Sequence, residues 1–192
     1  MLMKEVLEEE LKDVLSSFQK NKSTGPDGWL VEFYLGLFDL IGNDLLRVVE
    51  ESKSLGLIHA PFNYTFVALI PKADKPISFN DFRLISLCNF IYKITSKVIA
   101  RRIKVILSRA ISKEQFGFLA GRKIHEVIRV AQEGLHSIKT RHLKGVVINI
   151  DLSKAYDRVN WLYIRLLLTH LGFEYGFIRW VMSCLSSVSL QC

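Results

Sequence analysis

A chain of 192 residues, 49% hydrophobic and 23% charged, is long enough to bury a real core and too apolar to be disordered. Its formal charge of +7 and pI near 9.4 favour a polyanionic partner. No run reaches the roughly 18 uncharged apolar residues of a membrane span, and the acidic turn after Met1-Leu2-Met3-Lys4 is unlike a signal or transit peptide.

The three cysteines, Cys88, Cys184 and Cys192, form no C-x-x-C pair and suggest neither a disulfide framework nor a cysteine-rich zinc site. Together these features fit a soluble protein of a reducing intracellular compartment, with no membrane contact and no evident protein partner. In chain order, Leu7, Leu11, Val14, Leu15 and Phe18 recur at helical spacing among Glu8, Glu9, Glu10, Lys12 and Asp13, which predicts an amphipathic first helix. Asn21-Lys22-Ser23-Thr24-Gly25-Pro26-Asp27-Gly28 is a turn-forming cluster. Helical stretches are expected from Trp29 to Phe38 and from Asn43 to Ser54, with Gly56 as a C-terminal stop.

The period then changes. Asn63 to Ile70 is rich in β-branched and aromatic residues and reads as a strand, Pro71 to Pro76 as a polar hairpin tip, and Phe82 to Leu87 as the returning strand. A long helix is expected from Phe90 to Ala110. Its cations Lys93, Lys97, Arg101 and Lys104 fall at intervals of three and four and so share a face, while Ile94, Val98 and Val105 lie on another. That face reads either as solvated surface or as a track for phosphates. Gly117 to Gly121 marks a second turn. A helix from Ile124 to Lys139, a strand ending at Asp151, and helices around Leu162 to Leu171 and Phe177 to Leu185 complete the reading. No internal repeat or inter-domain linker interrupts it.

His59, His125, His136, His142 and His170 are scattered without metal-ligand spacing, and no G-x-S-x-G or P-loop pattern is present, which removes the commonest hydrolase and NTPase classes. The apolar run Val146 to Ile150 delivers one carboxylate at Asp151. On its own, Asp151 is either a strand-end cap or a rigid ledge for a hard divalent cation. Asp157 suits a helix cap or a pairing with Arg158, and Tyr156 suits a core aromatic.

Several segments, in content and order, resemble the reverse transcriptases of non-LTR (long interspersed) retrotransposons, particularly those of plant genomes. Asn21 to Gly28 is similar to their N-K-S-P/A-G-P-D-G. Ala68-Leu69-Ile70-Pro71-Lys72 followed by Asp81-Phe82-Arg83-Leu84-Ile85-Ser86-Leu87-Cys88-Asn89 is similar to A-L-I-P-K and F-R-P-I-S-L-C-N. Tyr92-Lys93-Ile94 with Lys97 to Arg102 matches the helix that follows, Gln115 to Arg122 resembles Q-S-G-F-x-P-G-R, and Ile150 to Trp161 resembles D-x-x-K-A-Y/F-D-R-V-N-W.

The resemblance implies an α+β fold: the fingers and partial palm of a right-hand polymerase, helix-rich, with a fingers β-hairpin and an incomplete palm sheet. Residues 1–60 would be an N-terminal helical extension, 61–140 the fingers and 141–192 the first part of the palm. It implies RNA template, DNA primer and dNTP as partners, and a location in nucleus or cytoplasm. Arg83 and then Lys72 would grip the incoming triphosphate, which suits an Arg fork or a Lys point charge. Asp151 would be the catalytic carboxylate and a ligand of Mg²⁺. Tyr156 would stack under the nucleotide sugar and select dNTP over rNTP. Gln115 and Arg122 would lie by the template and nucleotide pocket, and Lys93, Lys97, Arg101 and Lys104 along the template backbone.

Leu84 stands where Pro is usual in the family, Phe116 where Ser is usual and Ala120 where Pro is usual, substitutions that suit a decaying element copy. No A-D-D occurs in the sequence, and after Cys192 the family continues into that hairpin, the thumb and further domains. The expectation is a fragment that is inactive alone, because one carboxylate cannot hold two Mg²⁺ ions, with an exposed edge near Ile148 and Ile150 and poor solubility. Alternatives are a non-catalytic nucleic-acid-binding remnant, a pseudogene product, or a group II intron maturase-like reverse transcriptase. Asn21 to Gly28 and Ser86 to Asn89 favour the retrotransposon over the last.

Overall fold

The computed structural model describes residues 2–112, 115, 121, 123–148, 150, 158–186 and the backbone of 189–191. Over these residues the protein is a helix-rich α+β chain. It divides into two compact units, residues 1–101 with 161–192, and residues 102–160.

In the first unit, α1 (Glu8–Ser16) buries Leu11, Val14 and Leu15 of the stripe that its spacing predicts, while Leu7, just before the helix, is exposed. The next two helices are α2 (Val31–Gly36) and α3 (Phe38–Leu55), so residues 39–42, expected as a break, are helical. Gly42 lies within this helical stretch. A Cβ there would sit 2.9 Å from the Phe38 ring, so the glycine makes room for a core aromatic and does not end the helix. Gly56 does stop α3: it is left-handed at φ 60°, and the Leu57 N–H donates to the Ser52 carbonyl at 3.1 Å across it.

The expected hairpin forms from β1 (Tyr64–Pro71) and β2 (Phe82–Cys88), antiparallel from Thr65 opposite Cys88 to Pro71 opposite Phe82. A short β3 (Ser189–Gln191) lies parallel to the start of β1, giving the sheet order β2-β1-β3. After β2 comes α4 (Phe90–Ala110), which buries Phe90, Ile94, Thr95, Val98 and Ile99. Near the C-terminus, α6 (Trp161–His170) and α7 (Tyr175–Ser186) are joined through Gly172 at φ 77°. Helix α7 packs on α6 and α3. Phe177 and Trp180 are wholly buried, and the Trp180 indole N–H donates to the Ser52 hydroxyl at 2.9 Å, so the largest core residue is also satisfied as a donor.

The second unit contains α5 (Ile124–Thr140), as its periodicity predicts. Of the stretch expected as a strand ending at Asp151, the described residues 143–148 and 150 have no regular structure, and Asn149 and Asp151 lie outside the described residues. A β-branched run becomes a strand only where another backbone pairs with its N–H and C=O groups, and no described residue of this unit is in a strand. Val146, Ile148 and Ile150 are accordingly 87%, 76% and 77% exposed, an apolar patch where the sequence led us to expect one.

Candidate functional site

The hairpin brings Lys72 and Arg83 to one face. Arg83 pairs with Ile70, and cross-strand partners point to the same side of a ribbon. Lys72 follows two residues after Ile70 and so returns to that side, its N–H continuing the ladder to the Asp81 carbonyl at 2.7 Å. Arg83 is exposed. The Lys72 ammonium donates to the Asn80 carbonyl at 2.7 Å, which fixes it beside the hairpin end while leaving two of its donors open in direction.

The loop that closes the hairpin is itself built. The Asp81 carboxylate accepts from the Ile77 and Ser78 N–H groups, both at 2.9 Å, and with Ser78 makes a capping box on the turn Phe79–Asp81. These backbone donors, Ser78 first and Ile77 second, hold Asp81 below the usual carboxylate range, with a smaller contribution from the Lys72 charge.

Two further motif segments meet at the start of α4. The Asp27 carboxylate accepts from the Phe90 N–H and so caps α4 from 63 residues away, while the Asp27 N–H donates to Asn89 Oδ1 at 3.1 Å. Asn89 in turn donates to the Pro61 and Tyr64 carbonyls at 3.1 and 3.0 Å. Gly25 is required here, because a Cβ would lie 2.1 Å from the Cys88 carbonyl oxygen. Sequence reading took Asn21 to Gly28 as a turn and missed this latch; the N-cap preferences of Asp and Asn just before a helix were its only local signal.

The four cations of α4 are not equivalent. The Lys97 ammonium donates to the Ser17 carbonyl at 2.9 Å and sits 3.7 Å over the Phe18 ring. Desolvation, and secondarily the like charge of Arg101, lower its pKa from the ordinary lysine value. Arg101 reaches Asp13 of α1 at 3.9 Å. These two hold α1, whereas Lys93 lines a surface cavity and Lys104 is exposed. Gln115 is exposed, its N–H donating to the Ser112 carbonyl.

Asp151, Tyr156 and Arg122 lie outside the described residues. Among the described residues no group of three or more His, Cys, Asp or Glu could hold a metal ion, and no helix is long and apolar enough to cross a membrane.

Comparison with known proteins adds two findings. The family described as reverse transcriptase (RNA-dependent DNA polymerase) matches residues 70–191, from the end of β1 through β3. A protein of Xenopus laevis, the uncharacterized 149 kDa protein of transposon TX1, is 28% identical over 179 residues. That alignment takes in 93% of this chain and 14% of the relative, so the chain spans a small part of the length of the protein it matches.

Proposed function

The chain belongs to the reverse transcriptase (RNA-dependent DNA polymerase) family, and from that premise we propose that it forms the fingers and the first part of the palm of the RNA-directed DNA polymerase of a non-LTR retrotransposon. The family match over residues 70–191 carries this reading, and the transposon relative supports it. Template and primer nucleic acid are the partners that such a family implies. The shared face of Lys72 and Arg83 takes the triphosphate of the incoming dNTP, a charge-assisted contact in which the Arg fork supplies direction and the Lys a point charge.

Asp151 is the palm carboxylate that holds Mg²⁺. Mg²⁺ held there would supply a lowered pKa for the primer 3′-hydroxyl and charge to offset the leaving pyrophosphate. Tyr156 is assigned to the nucleotide sugar and to the choice of dNTP over rNTP. Lys93 and Lys104 are assigned to the template backbone, and Gln115 and Arg122 to the template as the family resemblance implies. Lys97 and Arg101 are given a positioning role, since reaching a phosphate would require them to leave Ser17 and Asp13.

The test uses the polypeptide that carries this chain together with its native flanking sequence, in RNA-templated primer extension. Arg83→Ala raises the KM for dNTP by about 10- to 100-fold, the range of a lost hydrogen bond to a charged group, with a smaller change in kcat, and Lys72→Ala raises it less. An unchanged KM in both variants contradicts the assignment of the hairpin to the triphosphate.

A further inference from the structure

We propose that the cavity bounded by the turn after α1, the start of α2 and the first turns of α4 takes one unstacked base–sugar–phosphate unit of a nucleic-acid strand. Its volume is about 440 Å³, within the range of small-ligand pockets. Phe18, Trp29 and Phe90 give it an aromatic lining, and Lys22, Lys93 and Lys97 a cationic one. Among the described residues no carboxylate lines it.

The aromatic groups are held in place before any ligand arrives. Trp29 is 46% exposed yet stacks on Phe33 with centroids 4.0 Å apart and planes at 30°. Phe90 is buried between Tyr34, stacked at 4.7 Å, and Phe18 at 5.0 Å. A half-exposed indole held at a fixed tilt in the cavity lining is a platform for a flat ring, and base stacking on such platforms does not depend on which base is offered.

The cations narrow the ligand further. The Lys97 ammonium is pinned by Ser17 and Phe18, so it adds a fixed positive charge at low cost in ordering. None of the ion pairs among the described residues involves Lys22 or Lys93, which leaves their ammonium groups for an anion. A purely apolar ligand would leave the Lys22 and Lys93 ammonium groups uncompensated, and a bare anion would leave the exposed indole unused. A ring joined to a phosphate uses both.

The assignment rests on the nucleic-acid reading above and goes beyond it in naming a base-stacking site that is separate from the hairpin. A free nucleotide and a nucleotide within a strand offer the same chemistry, so the experiment carries both. Binding of a labelled 12-nucleotide single-stranded RNA, and of the same sugar–phosphate strand lacking its bases, is measured by anisotropy with the full 192-residue chain, with AMP as competitor. The base-bearing strand binds about tenfold tighter than the base-free one, within the span of stacking contributions. Trp29→Ala removes that difference, Trp29→Phe keeps it, and Lys22→Glu with Lys93→Glu weakens both strands, while circular dichroism shows each variant folded.

Displacement by AMP in the wild type but not in Trp29→Ala assigns the site to the free nucleotide, and lack of displacement with base discrimination intact assigns it to the strand. RNA binding without base discrimination, or discrimination that survives Trp29→Ala, overturns the site and leaves the polymerase reading standing. No RNA binding at low salt overturns both.

Discussion

Asp27 and Gly25 show how much of the first unit hangs on single atoms. Asp27 caps α4 across 63 positions, so Asp27→Ala removes an N-cap acceptor and lowers stability by about 1 kcal/mol, whereas Asp27→Asn or Asp27→Ser retains most of it. Gly25→Ala is worse, because the added methyl would meet the Cys88 carbonyl, a backbone atom that cannot rotate away. A loss of about 3 kcal/mol or more is expected, at the upper end of overpacking effects. Urea unfolding checks both: the midpoint falls with unchanged slope, Gly25→Ala further than Asp27→Ala, and the reverse order would contradict the latch. This contact was not legible in the sequence. Turn chemistry identifies Gly25 and Asp27 as loop residues, but only the fold shows that their partner is the helix start at Phe90.

At the scale of elements, the hairpin loop has a pH dependence that follows from its hydrogen bonds. Asp81 has a folded-state pKa below its unfolded value, so the order it lends to residues 77–81 is present above the unfolded pKa and is lost as pH falls through the folded one. The Ile77 and Ser78 amide proton resonances should therefore titrate together, below the usual carboxylate range. Amide shifts that stay constant through that range, or that move independently, would contradict it. Elements defined by period were legible: α1, α4, α5 and the β1–β2 pair stand where spacing and β-branched content predict them. Two elements were not. Residues 39–42 were expected between two helices, yet they are helical and Gly42 accommodates Phe38 inside α3, and Val146 to Ile150 has a strand's composition without a described strand to pair with in its unit.

For the whole molecule, the site was legible in parts of different kinds. Motif content pointed to Lys72, Arg83 and Asp151, and the register of the hairpin then put the first two on one face. The basic stripe of α4 looked uniform in sequence because spacing reports only a shared face. Burial and partners divide it into Lys97 and Arg101, which hold α1, and Lys93 and Lys104, which do not. The cavity beside Lys93 joins residues from three segments and had no sequence signature at all. In the proposed function, polymerase chemistry depends on the Asp151 carboxylate that follows the Val146 to Ile150 run. The most direct measurement is Mg²⁺-dependent addition of dNTP to an RNA-templated primer by the polypeptide carrying this chain with its native flanks, comparing Asp151 with Asp151→Asn. The expected result is incorporation by the parent and none by Asp151→Asn, with RNA affinity unchanged. Equal incorporation by the two would contradict the assignment.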